Sequence, residues 1–305
     1  MLVSHARVDA VPVRIDAHTH VFRRELPMVP GRRYTPDYDA TLKDLLSHLD
    51  ANGLDQAVLV QPSFLGTDNS YMLATIAAAP DRLRGIAMVP PDVSDEQLSE
   101  LALRGVVGVR FNLVGAPMPE LRSTAWTTLL RRLVALGWHV ELHREARDLP
   151  LLIESALQAG ARVVVDHYGR PDPALGLADS HLNALLAFAS SRRVWVKLSA
   201  AYRCASNPEG FERDAALHFV SAFGADRLIW GSDWPHTQCE AKATVGASLR
   251  ALQASLGDAA LGAVLGGNAS DLYGFSKAAP RPAGSPLQDR CVRACSDPQQ
   301  KSTST

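Results

Sequence analysis

The sequence has no excess of charge of either sign, no long hydrophobic run and few cysteines. It carries 31 Lys and Arg against 32 Asp and Glu in 305 residues, so it lacks the basic surface typical of proteins that bind nucleic acids or membrane surfaces. No apolar run approaches the ~18 residues needed to span a bilayer, and the first 16 residues contain no apolar segment of a secretory signal. The four cysteines do not have zinc-ribbon spacing and fit a reducing compartment. We therefore expect a cytoplasmic monomer or small homo-oligomer that binds neither nucleic acid nor membrane.

Eight short runs rich in β-branched residues recur along the chain, and a helical pattern follows each one. The runs are almost continuously apolar, which is typical of strands buried on both faces of a parallel sheet. Several amphipathic stretches between them end at a glycine, which favours a helix C-terminus. The eight runs occupy residues 13–21, 57–63, 85–91, 105–113, 138–144, 162–169, 194–200 and 227–235.

This alternation of strands and helices indicates an α/β fold, either a closed (β/α)8 barrel or an open doubly wound sheet. No GxGxxG motif follows the first run, which disfavours the dinucleotide-binding form of the open sheet. Residues 276–305 are rich in Pro, Ser, Gln and Arg without periodicity, and this composition predicts a disordered tail. Residues 1–275 are therefore expected to form a single domain.

Ionisable and polar residues gather at one end of nearly every predicted strand. In a barrel, the carboxyl ends of the strands surround the active site, so this asymmetry predicts a site at that end. The residues concerned are His18, His20, Ser63, Arg110, Asn112, His143, Arg144, Asp166, His167, Arg170, Lys197, Ser199, Asp233 and His236.

The first strand ends in DAHTHVF, in which His18 and His20 are separated by one residue. Residues i and i+2 of a strand point to the same face, so the two imidazoles provide half of a site for zinc or a similar ion. The alternative is that one histidine is a hydrogen-bonded core residue. Because His143, His167 and Asp233 end other strands, we favour the site.

The acidic and basic candidates each have a structural alternative. Asp233 lies in GSDWPH, where it either closes a turn, ligates a metal or accepts a proton from water. Arg110 and Arg170 are suited to binding a planar carboxylate through two hydrogen bonds. Arg110 is equally compatible with a pairing to a structural acid.

The segments DAHTHVF, RGVVGVRFN, VVVDHYGRPD, GSDWPH and GNASDLYGF resemble the amidohydrolase superfamily, and most closely its 2-pyrone-4,6-dicarboxylate lactonase branch. The similarity runs from about residue 13 to about residue 275. It implies a distorted (β/α)8 (TIM) barrel that hydrolyses a lactone ester in the breakdown of aromatic compounds.

The resemblance also implies roles for individual residues. Asp233 would activate water, with His18, His20 and His167 around the scissile carbonyl. Substrate carboxylates would be held by arginines, and further substrate contacts would come from the loops. These substrate-binding candidates are Arg110, Arg170, Arg203, Tyr34, Ser63 and Gln238.

Two positions depart from the pattern of the lactonase branch. His143 stands where that branch, which works without a metal, has an aromatic residue. In the wider superfamily a histidine there completes a metal site, so His18, His20, His143 and Asp233 would hold one divalent ion, zinc or manganese, although metal-free catalysis stays open. After RFN the branch tends to have another basic residue, where this chain has LVGAPMP. The substrate would then be a related anionic lactone, such as a carboxy- or sulfomuconolactone.

Other functions are compatible with the same residues. A metal-dependent non-oxidative decarboxylase of an aromatic or muconate acid would use the same histidines and Asp233. A hydrolase of sugar-acid lactones is disfavoured by the arginines. A barrel that binds a ligand without catalysis would be expected to lack a member of the ionisable set, and none is clearly missing.

Overall fold

The computed structural model describes residues 13–242 and 244–275, and the tail expected at 276–305 lies outside them. All eight predicted strands are present, and together they form one parallel sheet in chain order. The strands are β1 (Ile15–Thr19), β2 (Gln56–Val60), β3 (Leu83–Ala87), β4 (Val106–Asn112), β5 (His139–His143), β6 (Arg162–Val165), β7 (Val194–Leu198) and β8 (Leu228–Trp230).

The sheet closes where β1 meets the segment that follows the short strand β8. The Asp233 amide donates to the His18 carbonyl over 2.9 Å, and the His20 amide donates to the Trp234 carbonyl over 2.8 Å. A Cβ at Gly231 would lie 2.6 Å from the His18 Cβ, so only glycine permits this approach. The architecture is a distorted (β/α)8 barrel, which confirms the expectation from the sequence.

Helices connect the strands along the chain, and their ends follow ordinary capping chemistry. Thr41 and Asp44 form a capping box at the start of α1, and Gly224, with φ +74°, follows the last residue of α7. The helices are α1 (Leu42–Ala51), α2 (Ser70–Ala78), α3 (Asp95–Leu103), α4 (Thr124–Ala135), α5 (Leu149–Gln158), α6 (His181–Leu186), α7 (Pro208–Phe223), α8 (Val245–Ser255), α9 (Asp258–Gly262) and α10 (Asn268–Tyr273).

Two hydrophobic clusters lie on opposite faces of the strands. The larger packs alternate strand residues such as Leu59 and Val140 against the helices. The smaller contains the intervening residues, such as Val58 and Val164, together with Tyr273 of α10. Because alternate residues of a strand face opposite sides, the smaller cluster lies inside the barrel. In the described part of the chain, no helix is both long and apolar enough to cross a membrane.

Several strands are shorter than their sequence patterns indicated. β6 ends at Val165 and β8 at Trp230, so His167 and Asp233 lie in the turns that follow. Both have positive φ values, 53° and 63°, which non-glycine residues adopt rarely and which cluster at functional sites. The tight turns fix where these two side chains enter the barrel mouth.

Candidate active site

A pocket opens at the carboxyl ends of the strands. It contains the candidate catalytic, metal-binding and substrate-binding residues except His18, which is fully buried beneath it. Five other polar residues from the strand ends do not line it: Arg144, Asp166, Lys197, Ser199 and His236. The pocket is lined by His20, Arg33, Tyr34, Pro62, Ser63, Phe64, Arg110, Asn112, His143, His167, Arg170, Arg203, Asp233, Thr237 and Gln238.

The two oxygens of the Asp233 carboxylate have different surroundings. Oδ2 accepts hydrogen bonds from the Tyr202 hydroxyl at 2.5 Å and from Arg203 Nε at 3.0 Å. Oδ1 faces the Nε2 atoms of His20, His18 and His167 at 3.4, 3.6 and 3.9 Å. One oxygen is therefore held by the protein, while the other points toward the pocket.

The carboxylate is ionised, and two of the neighbouring histidines, His18 and His167, are neutral. Burial raises the pKa of Asp233, but Arg203 and His167 outweigh it and hold that pKa well below its usual range. Burial lowers the pKa of His167 to about 3, against the opposing effect of Asp233. Burial and then Lys197 hold the pKa of His18 well below its ordinary value. Asp233 is thus in the form that can accept a proton.

Three residues of this cluster fit a divalent metal ion. His18, His20 and Asp233 each offer one ligand atom, all within 4.8 Å of one another. Atoms bound to one tetrahedral zinc ion lie about 3.3–3.4 Å apart, close to the 3.4 and 3.6 Å from Asp233 to the two histidines. His18 Nε2 is buried without a hydrogen-bond partner among the described residues, and the His20 Nδ1 contact with the Val60 carbonyl at 2.7 Å leaves Nε2 free. A second group, His18, Asp166 and His167, meets the same distance limit.

His143 lies in the pocket but not with the other expected metal ligands. Its Nδ1 is 3.0 Å from an Arg110 guanidinium nitrogen, and its Nε2 is 3.4 Å from one of Arg170. Burial and then Arg110 hold the pKa of His143 well below its ordinary value. Guanidinium groups flank both ring nitrogens, although a neutral imidazole accepts a hydrogen bond at only one of them. The structure therefore brings together only three of the four residues in the expected ligand set.

The four arginines of the pocket fall into two groups, two that are bonded to a carboxylate and two that are not. Arg110 Nε donates to Asp166 Oδ2 at 2.9 Å, and Arg203 is bonded to Asp233 and to the Thr237 carbonyl. In the described chain, no carboxylate lies within ion-pairing distance of the other two, Arg33 and Arg170. The pKa of each is lowered by burial first and then by neighbouring arginines. The pocket therefore has positive charge that the protein does not neutralise.

Of the remaining predicted substrate contacts, Tyr34 and Gln238 form hydrogen bonds with other groups of the protein. The Tyr34 hydroxyl donates to Glu240 Oε1 at 2.9 Å, and the Gln238 side-chain amide donates to the Arg33 carbonyl at 3.2 Å. Ser63 starts a short turn of helix after β2. Tyr34 and Gln238 thus support the pocket wall in the absence of substrate.

Sequence reasoning missed two residues whose side chains form hydrogen bonds within the site, besides the lining residues Pro62, Phe64 and Thr237. Arg33 precedes Tyr34, and its guanidinium donates to the Asn112 side chain at 3.1 Å. Tyr202 precedes Arg203 and donates to the same Asp233 oxygen. Each lies in a loop without periodicity, and the only available signal was its adjacency to a residue already chosen.

Comparison with known proteins agrees with this geometry. The amidohydrolase family model (Amidohydro_2) matches residues 15–275. The chain is 36% identical over 235 residues to the 2-pyrone-4,6-dicarboxylate hydrolase of Comamonas testosteroni, covering 73% of this chain and 76% of that protein. It is 32% identical over 230 residues to a 4-sulfomuconolactone hydrolase of Hydrogenophaga intermedia, covering 73% and 74%.

A solved structure extends the likeness to the fold. The protein comes from Acinetobacter baumannii, is assigned as a 2-pyrone-4,6-dicarboxylic acid hydrolase and has citric acid bound. The TM-score is 0.82 at 38% identity, covering 86% of this chain and 99% of that one.

Proposed function

Because this chain belongs to the amidohydrolase family, we propose that it hydrolyses the ester of a small anionic lactone from aromatic-compound breakdown. The substrate class is a pyrone dicarboxylate or a sulfomuconolactone, the compounds for which the named relatives are called hydrolases, or the related carboxymuconolactone. The observation that carries the proposal is the placement of an ionised Asp233 in a pocket with two arginines, Arg33 and Arg170, that have no carboxylate partner among the described residues.

The proposed reaction begins with a water molecule beside Asp233. Oδ1 accepts a proton as the water oxygen attacks the acyl carbon of the lactone. His167 stabilises the negative charge that develops on the carbonyl oxygen, because the 2.8 Å contact between its Nδ1 and the Ser199 hydroxyl leaves Nε2 available as a donor. The acyl carbon–ring oxygen bond then breaks, and Asp233 returns the proton to the departing oxygen. The net products are a carboxylic acid and a ring-opened hydroxyl or enol.

The arginine side of the pocket binds and orients the substrate. Arg170 and Arg33 pair with the acidic substituents of the substrate, and Arg110 and His143 complete that wall. Arg203 lies against Asp233, so its first role is to hold the base rather than the substrate. Citric acid bound to the Acinetobacter relative supports affinity for polycarboxylates in this group of proteins.

A divalent ion, zinc or manganese, is compatible with the same site. We propose His18, His20 and Asp233 as its ligands, with His143 as a substrate contact instead. When bound, such an ion polarises the carbonyl and lowers the pKa of water. The steps assigned above use only residues of this chain. Cytoplasmic location and oligomeric state stay predictions from the sequence.

The proposal is tested with purified protein and a panel of compounds in a pH-stat. The panel contains 2-pyrone-4,6-dicarboxylate, a carboxy- and a sulfomuconolactone, an uncharged lactone, a sugar-acid lactone and an aromatic carboxylic acid. We expect one equivalent of base to be consumed per ring opened for an anionic lactone, and none with Asp233→Asn. Carbon dioxide release without base consumption would contradict the proposal and favour the decarboxylase. Preference for the sugar-acid lactone would contradict the role of the arginines.

A further inference from the structure

A buried lysine lies directly beneath the histidine–aspartate cluster. Lys197 is on β7 and is fully buried inside the barrel. Its ammonium is 2.7 Å from Glu141 Oε1, 3.1 Å from His18 Nδ1 and 3.4 Å from Asp166 Oδ1. The Tyr273 hydroxyl also donates to Glu141 Oε1, at 3.2 Å. The lysine therefore links His18 to the acidic groups of the barrel interior.

The chemistry of the ammonium fixes the direction of its contact with His18. A lysine ammonium has three protons to donate and no lone pair to accept with, and three acceptor atoms surround it here. His18 Nδ1 must then present its lone pair to Lys197. In a neutral imidazole the single proton consequently sits on Nε2.

Asp166 competes with this arrangement. Its Oδ1 lies 3.4 Å from His18 Nδ1 and would accept a proton from that nitrogen in the other tautomer. That tautomer leaves Nε2 with the lone pair that a metal ligand needs, and it is the usual one in metal sites, where the second ring nitrogen donates to a carboxylate. The lysine contact with His18 Nδ1 is the shorter of the two, at 3.1 Å, and the ammonium also lies 3.4 Å from Asp166 Oδ1, so this carboxylate has a cationic neighbour without taking the histidine proton.

We propose that Lys197 is a positioning residue that keeps the His18 proton on Nε2 and thereby weakens the binding of a divalent ion by His18, His20 and Asp233. Binding of the ion requires the proton to move to Nδ1, where it faces the lysine. The metal affinity of this barrel is thus set from below the site, by a residue that touches neither the ion nor the substrate. The proposal does not depend on which lactone is hydrolysed.

The first test is the tautomer of His18 in the intact wild-type protein. Nitrogen-15 NMR of the protein with labelled histidine, treated with chelator, distinguishes the two tautomers, and His18→Gln identifies the His18 signals. We expect the proton on Nε2. A proton on Nδ1 would overturn the proposal, and this readout requires no variant of Lys197 to fold.

The second test is the affinity for Zn²⁺, measured by competition with a chromophoric chelator. Lys197→Met removes the donor, and Glu141→Gln/Lys197→Met removes one charge of each sign, so that a change in local charge alone does not explain its result. We expect about 10- to 100-fold tighter binding in both variants, the range for partners of metal ligands, and transfer of the His18 proton to Nδ1. The exposed Lys43→Met serves as control and should bind as the wild type does. An unchanged affinity in the double variant would overturn the proposal, while lactone hydrolysis by the wild type would be unaffected by that outcome.

Discussion

The two sides of the pocket differ in how completely the protein satisfies their charges. On the histidine–aspartate side, both oxygens of Asp233 have partners or close neighbours, and Arg203 balances the charge. On the arginine side, Arg33 and Arg170 face the pocket without a carboxylate partner in the described chain, and burial, followed by neighbouring arginines, lowers their pKa values. The first side is organised before substrate arrives, while the second is completed by an anion. Substitutions on the first side are therefore expected to change mainly kcat, and substitutions on the second side mainly KM.

The largest effect is expected from Asp233→Asn. The amide cannot accept the water proton, so kcat should fall ~100-fold or more, the usual contribution of a general base. Steady-state kinetics on the best anionic lactone measure this, with the surface variant Asp258→Asn as the matched control. Retention of more than about a tenth of wild-type kcat would remove Asp233 from the role of base.

A smaller and different effect is expected from Arg170→Gln. Arg170 is mostly buried and has His143 as its nearest polar partner. Loss of the charged hydrogen bond between its guanidinium and the substrate anion should therefore raise KM ~10- to 100-fold. The change in kcat should stay within a few-fold. An uncharged lactone is the control substrate, because its KM should not move. Equal losses on both substrates would show that the variant damages the pocket rather than anion binding.

Arg33→Gln compares the contribution of Arg33 to substrate binding with that of Arg170. The pocket partly covers the Arg33 guanidinium, but the residue as a whole is exposed at the mouth. Water therefore screens its charge, and exposed ion pairs contribute about 0.2–1 kcal/mol. We expect KM for a dianionic lactone to rise only ~2- to 5-fold. Arg32→Gln is a neighbouring control, because Arg32 bonds within its own loop. A larger rise for Arg33 than for Arg170 would reverse the assignment of the main anion contact.

The buried histidines make stability depend on pH. The unfolded pKa of histidine is near 6.5, and burial lowers the folded pKa of His167 to about 3. Between these values the unfolded chain binds more protons, so the free energy of unfolding should be fully retained above about pH 6.5 and fall as the pH drops toward 3. Urea unfolding at several pH values measures the slope, which should be shallower in His167→Gln. An equal slope in that variant would assign the dependence to other groups.

The sequence was sufficient to predict which side chains gather at the carboxyl end of the barrel, but not where β6 and β8 end or which contacts form across the barrel. Strand alternation placed His18 and His20 together, and their ring centroids lie 5.0 Å apart. The motif GSDWPH also placed Asp233 at the end of the last strand. These predictions depend on the local sequence pattern of a strand and its end, which does not depend on how the barrel closes.

The contacts that the sequence did not predict depend on closure of the barrel and on loop paths. His143 ends β5 as expected, but β4 supplies Arg110 and the turn after β6 supplies Arg170 on either side of its ring. Arg33 comes from a long loop between β1 and α1, where no periodicity indicates a direction. Lys197 was recognised at a strand end, yet its contact with His18 joins residues 179 positions apart.

The most direct test is equilibrium binding of one anionic lactone to Asp233→Asn and Arg170→Gln, measured by calorimetry. The separation of chemistry from binding predicts that Asp233→Asn binds the lactone at least as tightly as the wild type binds a non-hydrolysable analogue, without turning it over. It also predicts that Arg170→Gln binds ~10-fold or more weakly. Loss of binding in Asp233→Asn, together with unchanged binding in Arg170→Gln, would contradict the account.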